Sequence, residues 1–375
     1  MRILIDFSYI EISHPTGVSI FGLRLLSGII NTGNNDVFLL VNQDAVPYFR
    51  HTFPNCNFII VNNSLKNSIL KYLYVKNRIL NLIKSVINKK KIDLFFIPYL
   101  TIWSIIPYGC CVVSVIHDLQ PLKLNSKLKN LFYKIVLYKK INETSHLVTI
   151  SNYCKCELLK TFKLQPYKIS VIYNSVVFKN NDNNVNLGNL PIAEMQYILN
   201  VNALEPYKNQ LTILKAFDLI KNKCSHMLVF KSKKTPYWNS MLYPEIINRG
   251  LKNRVILIDQ NLSSTELKSL YTGAAVFVNS SLMEGFGFTP IEAAICEVPV
   301  ITSKCAALYE TTLGLLNYID NPKDEFEIAK MLLHFITNPP EKDKLSYISN
   351  QFITEFSVNK QAKKYLNLFS RQIVV

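Results

Sequence analysis

The stretch Ser281–Glu292, SLMEGFGFTPIE, sets two carboxylates around a glycine-bearing turn where a helix begins. Glu284 precedes the turn, and Glu292 lies inside the helix eight positions on. Gly285 and Gly287 let the backbone approach a ligand closely. Thr289 can cap the helix and Pro290 fits its first turn. The N–H groups at such a helix start, together with the helix dipole, suit a diphosphate. The two acids can then hold opposite ends of one elongated ligand. The same spacing fits a tight strand-to-helix turn with two solvated acids, and spacing alone does not choose between the two.

Other residues offer chemistry at single positions. Lys208, in YILNVNALEPYKN, can neutralise a phosphate as a point charge on a flexible stem, or be a solvated surface lysine. His117 and Asp118 stand at the expected carboxyl end of a strand in CVVSVIHDLQPL. A lone histidine at a strand end is more often structural than functional. Gly17, taken alone, is a helix-start glycine. No DxD motif is present to hold a divalent metal, so no metal and no cofactor are expected. GxGxxG does not follow the first strand, which argues against a nicotinamide oxidoreductase.

These residues need a scaffold that alternates strands and helices, and the chain does so. In the first half, strands are expected at Arg2–Phe7, Asp36–Val41, Leu94, Cys111, Leu147 and Ile169. Helices are expected at 17–30, 64–88, 126–142 and from Tyr153. The Asn-rich run Asn180–Asn189 reads as a linker. The pattern then restarts: strands at Tyr197–Val201, Met227–Phe230, Val255, Ala275–Val278 and Val298–Thr302, with helices at 210–221, 238–249 and 290–296. SSTE at Ser263–Glu266 has capping-box spacing, with Leu267, Leu270 and Tyr271 on the buried face of its helix. Helices are expected to fill the remainder. The expected domains are 1–180, a linker at 181–195, 196–355, and a final segment at 356–375. Two α/β halves imply a cleft, with ligands beyond the carboxyl ends of the strands.

AAVFVNSSLMEGFGFTPIEAAICEVPVITS resembles the signature of glycosyltransferase family 4, whose hallmark is two glutamates separated by seven residues. The resemblance runs from about residue 2 to residue 370. It implies the GT-B fold: two Rossmann-like α/β domains facing each other across a cleft, the first on the acceptor side and the second binding a nucleotide sugar. It assigns Glu284 to the transferred sugar and Glu292 to the ribose hydroxyls. The backbone of Gly285, Phe286, Gly287 and Phe288, with Thr289, falls to the sugar and phosphates. Lys208 matches the lysine that neutralises the diphosphate, with Asn209 beside it. Asn202 stands where the family has Gly, and Tyr207 where it has Arg. HPTGVSIFGLRLL is similar to the family's glycine loop, through Thr16 and Gly17. His117 and Asp118 match its His-Asp segment, in which the histidine contacts the transferred sugar. Ser151 in ISNYCKCELL and Glu310 in CAALYE match weaker segments. FSVNKQAKKYLNLFS is similar to the final helix that crosses back to the first domain.

The resemblance implies a retaining, metal-independent hexosyltransferase, with a GDP- or UDP-linked donor and a glycan acceptor, lipid-linked as in O-antigen or capsule assembly. Two other classes stay open: a sugar-nucleotide isomerase or hydrolase of the same fold, and a basic protein that binds nucleic acid or membrane. Nucleic acid is disfavoured, since no recognition helix or aromatic-basic strand motif is present and lysine outweighs arginine.

The bulk properties agree with a globular, two-domain chain. There are 375 residues, 49% hydrophobic and 18% charged. Basic residues exceed acidic ones by 42 to 26, a net +16 that favours an anionic partner. The eight cysteines form no CxxC pair, and the N-terminus MRILIDFSY has no leader pattern, so a reducing cytoplasm is expected. Leu94–Ile116 lacks charge, but Pro98, Pro107 and Gly109 interrupt it. It reads as two buried strands joined by an apolar loop. Ser64–Lys91 and Lys123–Lys140 are both basic and apolar. Either can lie on an anionic membrane surface, at the inner face of the cell membrane, or pack its apolar face on the sheet with its lysines solvated.

Overall fold

The computed structural model describes residues 1–10, 16–33, 35–61, 69–120, 122, 127–178, 190, 192 and 195–373. The side chains of residues 69–74 and 127 fall outside that description, as does the whole Asn-rich run 180–189 read as a linker. The chain separates into two units: Met1–Ser175 with Val358–Val375, and Val176–Ser357.

The first unit is a seven-stranded parallel sheet. Its strands are β1 (Arg2–Phe7), β2 (Asp36–Asn42), β3 (Asn57–Val61), β4 (Leu94–Ile97), β5 (Cys111–Ile116), β6 (His146–Thr149) and β7 (Ile169–Val171). Their order is β3-β2-β1-β4-β5-β6-β7. The chain runs outward from β1 to one edge and then returns to β4 and the other edge. Strand order therefore reverses between β1 and β4, the position where open α/β sheets form a ligand crevice at their carboxyl ends. β4 and β5 are buried almost throughout, as their uninterrupted apolar sequences require of strands covered on both faces. The uncharged stretch from Leu94 is thus two strands. Among the described residues no helix is long and apolar enough to cross a membrane.

The second unit repeats the plan with six parallel strands: β8 (Tyr197–Val201), β9 (Met227–Lys231), β10 (Val255–Ile258), β11 (Val276–Asn279), β12 (Val300–Ser303) and β13 (Asn317–Ile319). The order is β10-β9-β8-β11-β12-β13, so the reversal falls between β8 and β11. The loops leaving these two strands carry Lys208 and Glu284.

Three local expectations need correction. β3 and β13 are edge strands not anticipated from sequence; each is short and only partly covered, so neither shows a clean hydrophobic period. The helix expected over 238–249 starts as a π turn, Trp238–Leu242, before an α-helix at Tyr243–Asn248. Pro244 has no N–H for the carbonyl four residues back, so the α pattern cannot run through. Thr289 does not cap the Phe288–Ile295 helix; Gly287 occupies that position at φ +89°. The capping box at Ser263 and Glu266 forms as its spacing requires.

The C-terminal helix Val358–Ile373 closes the first unit. It packs along Gly17–Asn31, where Gly28 has no room for a side chain: an added Cβ would lie 2.7 Å from the Ala362 Cβ and 2.8 Å from the Val358 Cγ1. Tyr365 and Phe369 pack edgewise and tilted against Phe96. Gln361 accepts from the Ser175 hydroxyl and donates to the Tyr173 carbonyl. Gly28→Leu should overpack this helix pair and destabilise the unit by about 1–3 kcal/mol. A urea titration should show a lower midpoint; an unchanged midpoint would mean that the contact relaxes freely.

Candidate functional site

In the second unit, β8 ends at Val201 and its loop makes a 3₁₀ turn at Pro206–Lys208. Asn209 follows in the left-handed region, φ 61°, which asparagine tolerates better than most residues. Its side chain is buried and hydrogen-bonded through both its nitrogen and its oxygen. The amide nitrogen donates to the Ser280 and Pro322 carbonyls, and the amide oxygen accepts from the Thr212 hydroxyl. Ser280 returns a bond to the Asn209 carbonyl, and the Leu282 N–H donates to the Tyr207 carbonyl. Asn209 thus clamps the Lys208 loop to the end of β11.

That clamp brings the Lys208 ammonium to 2.5 Å from Glu284 Oε1, both side chains being 11% exposed. The pair joins the two loops at the reversal of strand order. Lys208 also lies 5.3 Å from the centre of the Tyr207 ring. Tyr207, which stands where the family pattern has a second cation, therefore gives the ammonium a π face.

Beyond Glu284 the backbone turns sharply into the Phe288–Ile295 helix. The Thr311 hydroxyl donates to the Phe286 carbonyl, and the Ala307 N–H donates to the Glu284 carbonyl. The Glu310 segment thereby braces the turn. Gly287 has no space for a side chain, since a Cβ would collide with Leu308, and its positive φ disfavours one in any case. The first N–H groups of a helix have no acceptor within it, and here no side chain caps them. The Gln210–Ile220 helix, beginning just after Lys208, likewise has no side-chain cap. Phe286 is buried against Phe288 and Phe356, so only its backbone is placed to meet a ligand.

Glu292 sits one turn into the helix. Its Oε2 accepts from the Tyr271 hydroxyl at 3.0 Å. Tyr271 is fully buried, and burial, followed by the neighbouring Glu292 charge, holds its phenol protonated well above the usual range. The sequence placed Tyr271 on an inward helix face but missed this role. The signal was its type: an inward tyrosine, unlike phenylalanine, needs a partner for its hydroxyl.

The remaining candidates lie in the first unit. Thr16 caps the Gly17–Asn31 helix by accepting from the Ser19 N–H. A Cβ on the exposed Gly17 would meet nothing within 4 Å among the described residues, so internal packing does not demand glycine there. His117 leaves β5 and is buried, with the Phe21 and Tyr99 rings edge-on at 4.7 and 5.7 Å. Its Nε2 bonds the Pro98 carbonyl at 2.9 Å, which requires Nε2 to be the donor and leaves Nδ1 as the acceptor. Burial lowers its pKa to about 4, opposed by the Pro98 hydrogen bond, so the ring is neutral at physiological pH. Asp118 accepts from the Gln120 N–H. Ser151 is fully buried as the cap of Asn152–Phe162, accepting from the Cys154 N–H. That is a structural task, and it leaves Ser151 out of solvent reach. Among the described residues, no three His, Cys, Asp or Glu side chains come together as a metal site.

Comparison with known proteins agrees with this two-unit division. Residues 16–178 match the model of Glycosyltransferase Family 4, and residues 188–352 that of the group 1 glycosyl transferases. The O-antigen chain mannosyltransferase RfbU of Salmonella typhimurium is 29% identical over 325 residues, covering 83% of this chain and 84% of the relative. Among solved structures, sucrose-phosphate synthase from Thermosynechococcus elongatus has a TM-score of 0.79 at 16% identity, over 100% of this chain and 99% of that one. Anabaena HepE in complex with UDP-glucose has a TM-score of 0.73 at 16% identity, over 99% of this chain and 100% of that one. At such identities the two structures speak for the fold.

Two outcomes test the local chemistry. As pH falls below about 6.5 the unfolded His117 binds a proton that the folded ring refuses. The stability this neutral ring supports should drain away between about pH 6.5 and pH 4, by on the order of 3 kcal/mol. Urea titrations should show that loss in the wild type and a smaller one in His117→Gln; parallel pH profiles would exclude a buried neutral imidazole. Tyr271→Phe should weaken nucleoside diphosphate binding about two- to tenfold in calorimetry, with little change in ligand-free melting. An unchanged Kd would show that the hydroxyl does not orient Glu292.

Proposed function

We propose, from the premise that this chain belongs to the family 4 glycosyltransferases of GT-B fold, that it is a mannosyltransferase of O-antigen assembly. In this reading a mannosyl group passes from a nucleoside diphosphate sugar to a lipid-linked glycan, in the cytoplasm at the inner face of the membrane. Mannose and the O-antigen come from the named relative RfbU. The observation that carries the reading is the Lys208–Glu284 pair, held where strand order reverses and beside the uncapped Phe288–Ile295 helix.

The donor is assigned to the second unit. Lys208 and the N–H groups opening the helix take the diphosphate, whose charge grows as the bond to the anomeric carbon breaks. Glu284 takes hydroxyls of the transferred sugar. Glu292, aimed by Tyr271, takes the ribose. When the diphosphate arrives, the Lys208 ammonium is shared between it and the Glu284 carboxylate, so donor and sugar contacts are set together. The acceptor is assigned to the first unit, beyond the carboxyl ends of its strands, where the resemblance places Gly17 and His117. The acceptor oxygen forms the new bond to the anomeric carbon on the face the phosphate leaves, and its proton passes to a phosphate oxygen. Configuration is retained, and Lys208 with backbone dipoles takes the place of a divalent metal.

The test is a thermal-shift screen with UDP, GDP, ADP and their common sugar conjugates, on wild type and Glu292→Ala. Selective stabilisation by GDP and GDP-mannose, lost in the variant, is expected. Selective stabilisation by UDP-sugars instead would move the donor away from mannose. A shift that persists in Glu292→Ala would remove the ribose assignment.

A further inference from the structure

Asp6 stands at the carboxyl end of β1, where strand order in the first unit reverses, and is only 7% exposed. Its Oδ1 accepts from the Ser8 N–H at 2.9 Å and from the Ser8 hydroxyl at 2.6 Å. Asn42, ending β2, donates to the Ser8 carbonyl at 2.5 Å and holds that turn in place. No described residue bonds the other Asp6 oxygen, and no described lysine or arginine pairs with the group. Burial raises its pKa, opposed only by the two Ser8 hydrogen bonds. A buried carboxylate is ordinarily matched by a cation. One left unmatched in the crevice of an α/β sheet is a candidate for binding.

Tyr9 lies beside it. Its hydroxyl is buried and has no hydrogen-bond partner. The neighbouring Asp6 charge adds to burial in holding that phenol protonated well above the usual range. An acceptor oxygen and a hydroxyl thus stand close together without bonding each other. The Tyr9 ring meets that of Tyr99, just past β4, edgewise at 5.9 Å, and Tyr99 meets His117 at 5.7 Å. Both tyrosines are half-buried. The Asp118 charge adds to burial in raising the Tyr99 phenol, so a second carboxylate borders the rings. Aromatic surface with a few fixed polar groups is the lining that small-molecule sites use.

We propose that Asp6 and Tyr9 hold a hydroxyl of the acceptor's terminal sugar, which donates to the unused Asp6 oxygen and accepts from Tyr9, with the sugar ring against Tyr99. The inference rests on the transferase reading and narrows the acceptor end that enters the first unit to a neutral sugar. Charge makes the choice. Carboxylates at Asp6 and Asp118 repel a phosphate, whereas a sugar hydroxyl supplies the donor that Asp6 lacks. The diphosphate of a lipid-linked glycan therefore stays away from this crevice, and the sugar farthest from the lipid enters it. Asp6 and Tyr9 bind and orient that sugar; the proton of the reacting hydroxyl still leaves with the donor phosphate.

Saturation-transfer NMR with the methyl α-glycosides of mannose, glucose and galactose, and with mannose 6-phosphate, tests it. At least one glycoside should bind the wild-type chain, and mannose 6-phosphate should bind more weakly than that glycoside. Asp6→Asn should weaken glycoside binding at least about tenfold and narrow the gap to the phosphate, and Tyr9→Phe should weaken it about two- to tenfold. Both variants should melt no lower than wild type, since one removes an unmatched charge and the other an unpartnered hydroxyl. A wild type that binds none of the glycosides, or binding unchanged in either variant, overturns the proposal. Unchanged binding with lower melting would give the two groups to a buried water instead. Binding lost in Glu284→Gln and kept in Asp6→Asn overturns it too, because the sugar would then sit on the donor side. Nucleotide-induced stabilisation reports separately on the transferase: its absence with glycoside binding as expected would remove the transferase reading and leave the sugar subsite standing.

Discussion

Lys208 and Glu284 are 76 residues apart and share a contact of 2.5 Å in a largely dehydrated setting. Removing two charges from water is costly, and their attraction offsets that cost only if the geometry is held closely. The second unit is arranged to hold it. β8 and β11 are neighbours in the sheet although two strands separate them in the chain. Asn209 ties the two loops together with side-chain bonds in both directions. Such a pair is weak support for stability, but it fixes the direction of the ammonium.

The turn between the two glutamates follows from the same constraint. In the proposed reading this backbone meets the donor, and no side chain caps the helix it opens. Gly287 supplies the positive φ, Thr311 and Ala307 brace the turn from behind, and Phe286 anchors it to the core. Glu292 projects from the first turns of the helix with one oxygen held by the buried Tyr271. The acids at the two ends of the turn are thus positioned differently: one by a cation across the sheet, the other by a phenol packed beneath it.

The net charge of +16 has no single structural expression. Lys208 is consumed in the site. Residues 75–90 follow an ordinary amphipathic pattern, with the apolar side inward and the charges in water. Lys127–Glu143 departs from it: Leu137 and Ile141 are buried in the core, while Leu128, Leu131, Phe132 and Ile135 on the opposite side are exposed.

The sequence by itself determined the class of fold and the identity of the central residues. Strand and helix alternation is a local signal, since covered parallel strands must be apolar throughout and the helices between them must show one apolar face. Glycines flanked by two glutamates at fixed spacing are legible for the same reason: turn and helix geometry fix their relation without help from the rest of the chain. Edge strands such as Asn57–Val61 and Asn317–Ile319 are not legible, because half-covered short runs carry no period. Tertiary structure alone decided what depends on residues distant in sequence. It set Lys208 against Glu284, because strand order is a property of the whole sheet. It gave Tyr271 a partner, and it gave Ser151 the task of a helix cap and Asn209 that of a clamp between two loops. Among the described side chains, it also shows Val75, Ile79, Ile83 and Ile87 buried and Leu128, Leu131, Phe132 and Ile135 exposed. Composition counts apolar residues, but only packing shows which of them the chain can cover.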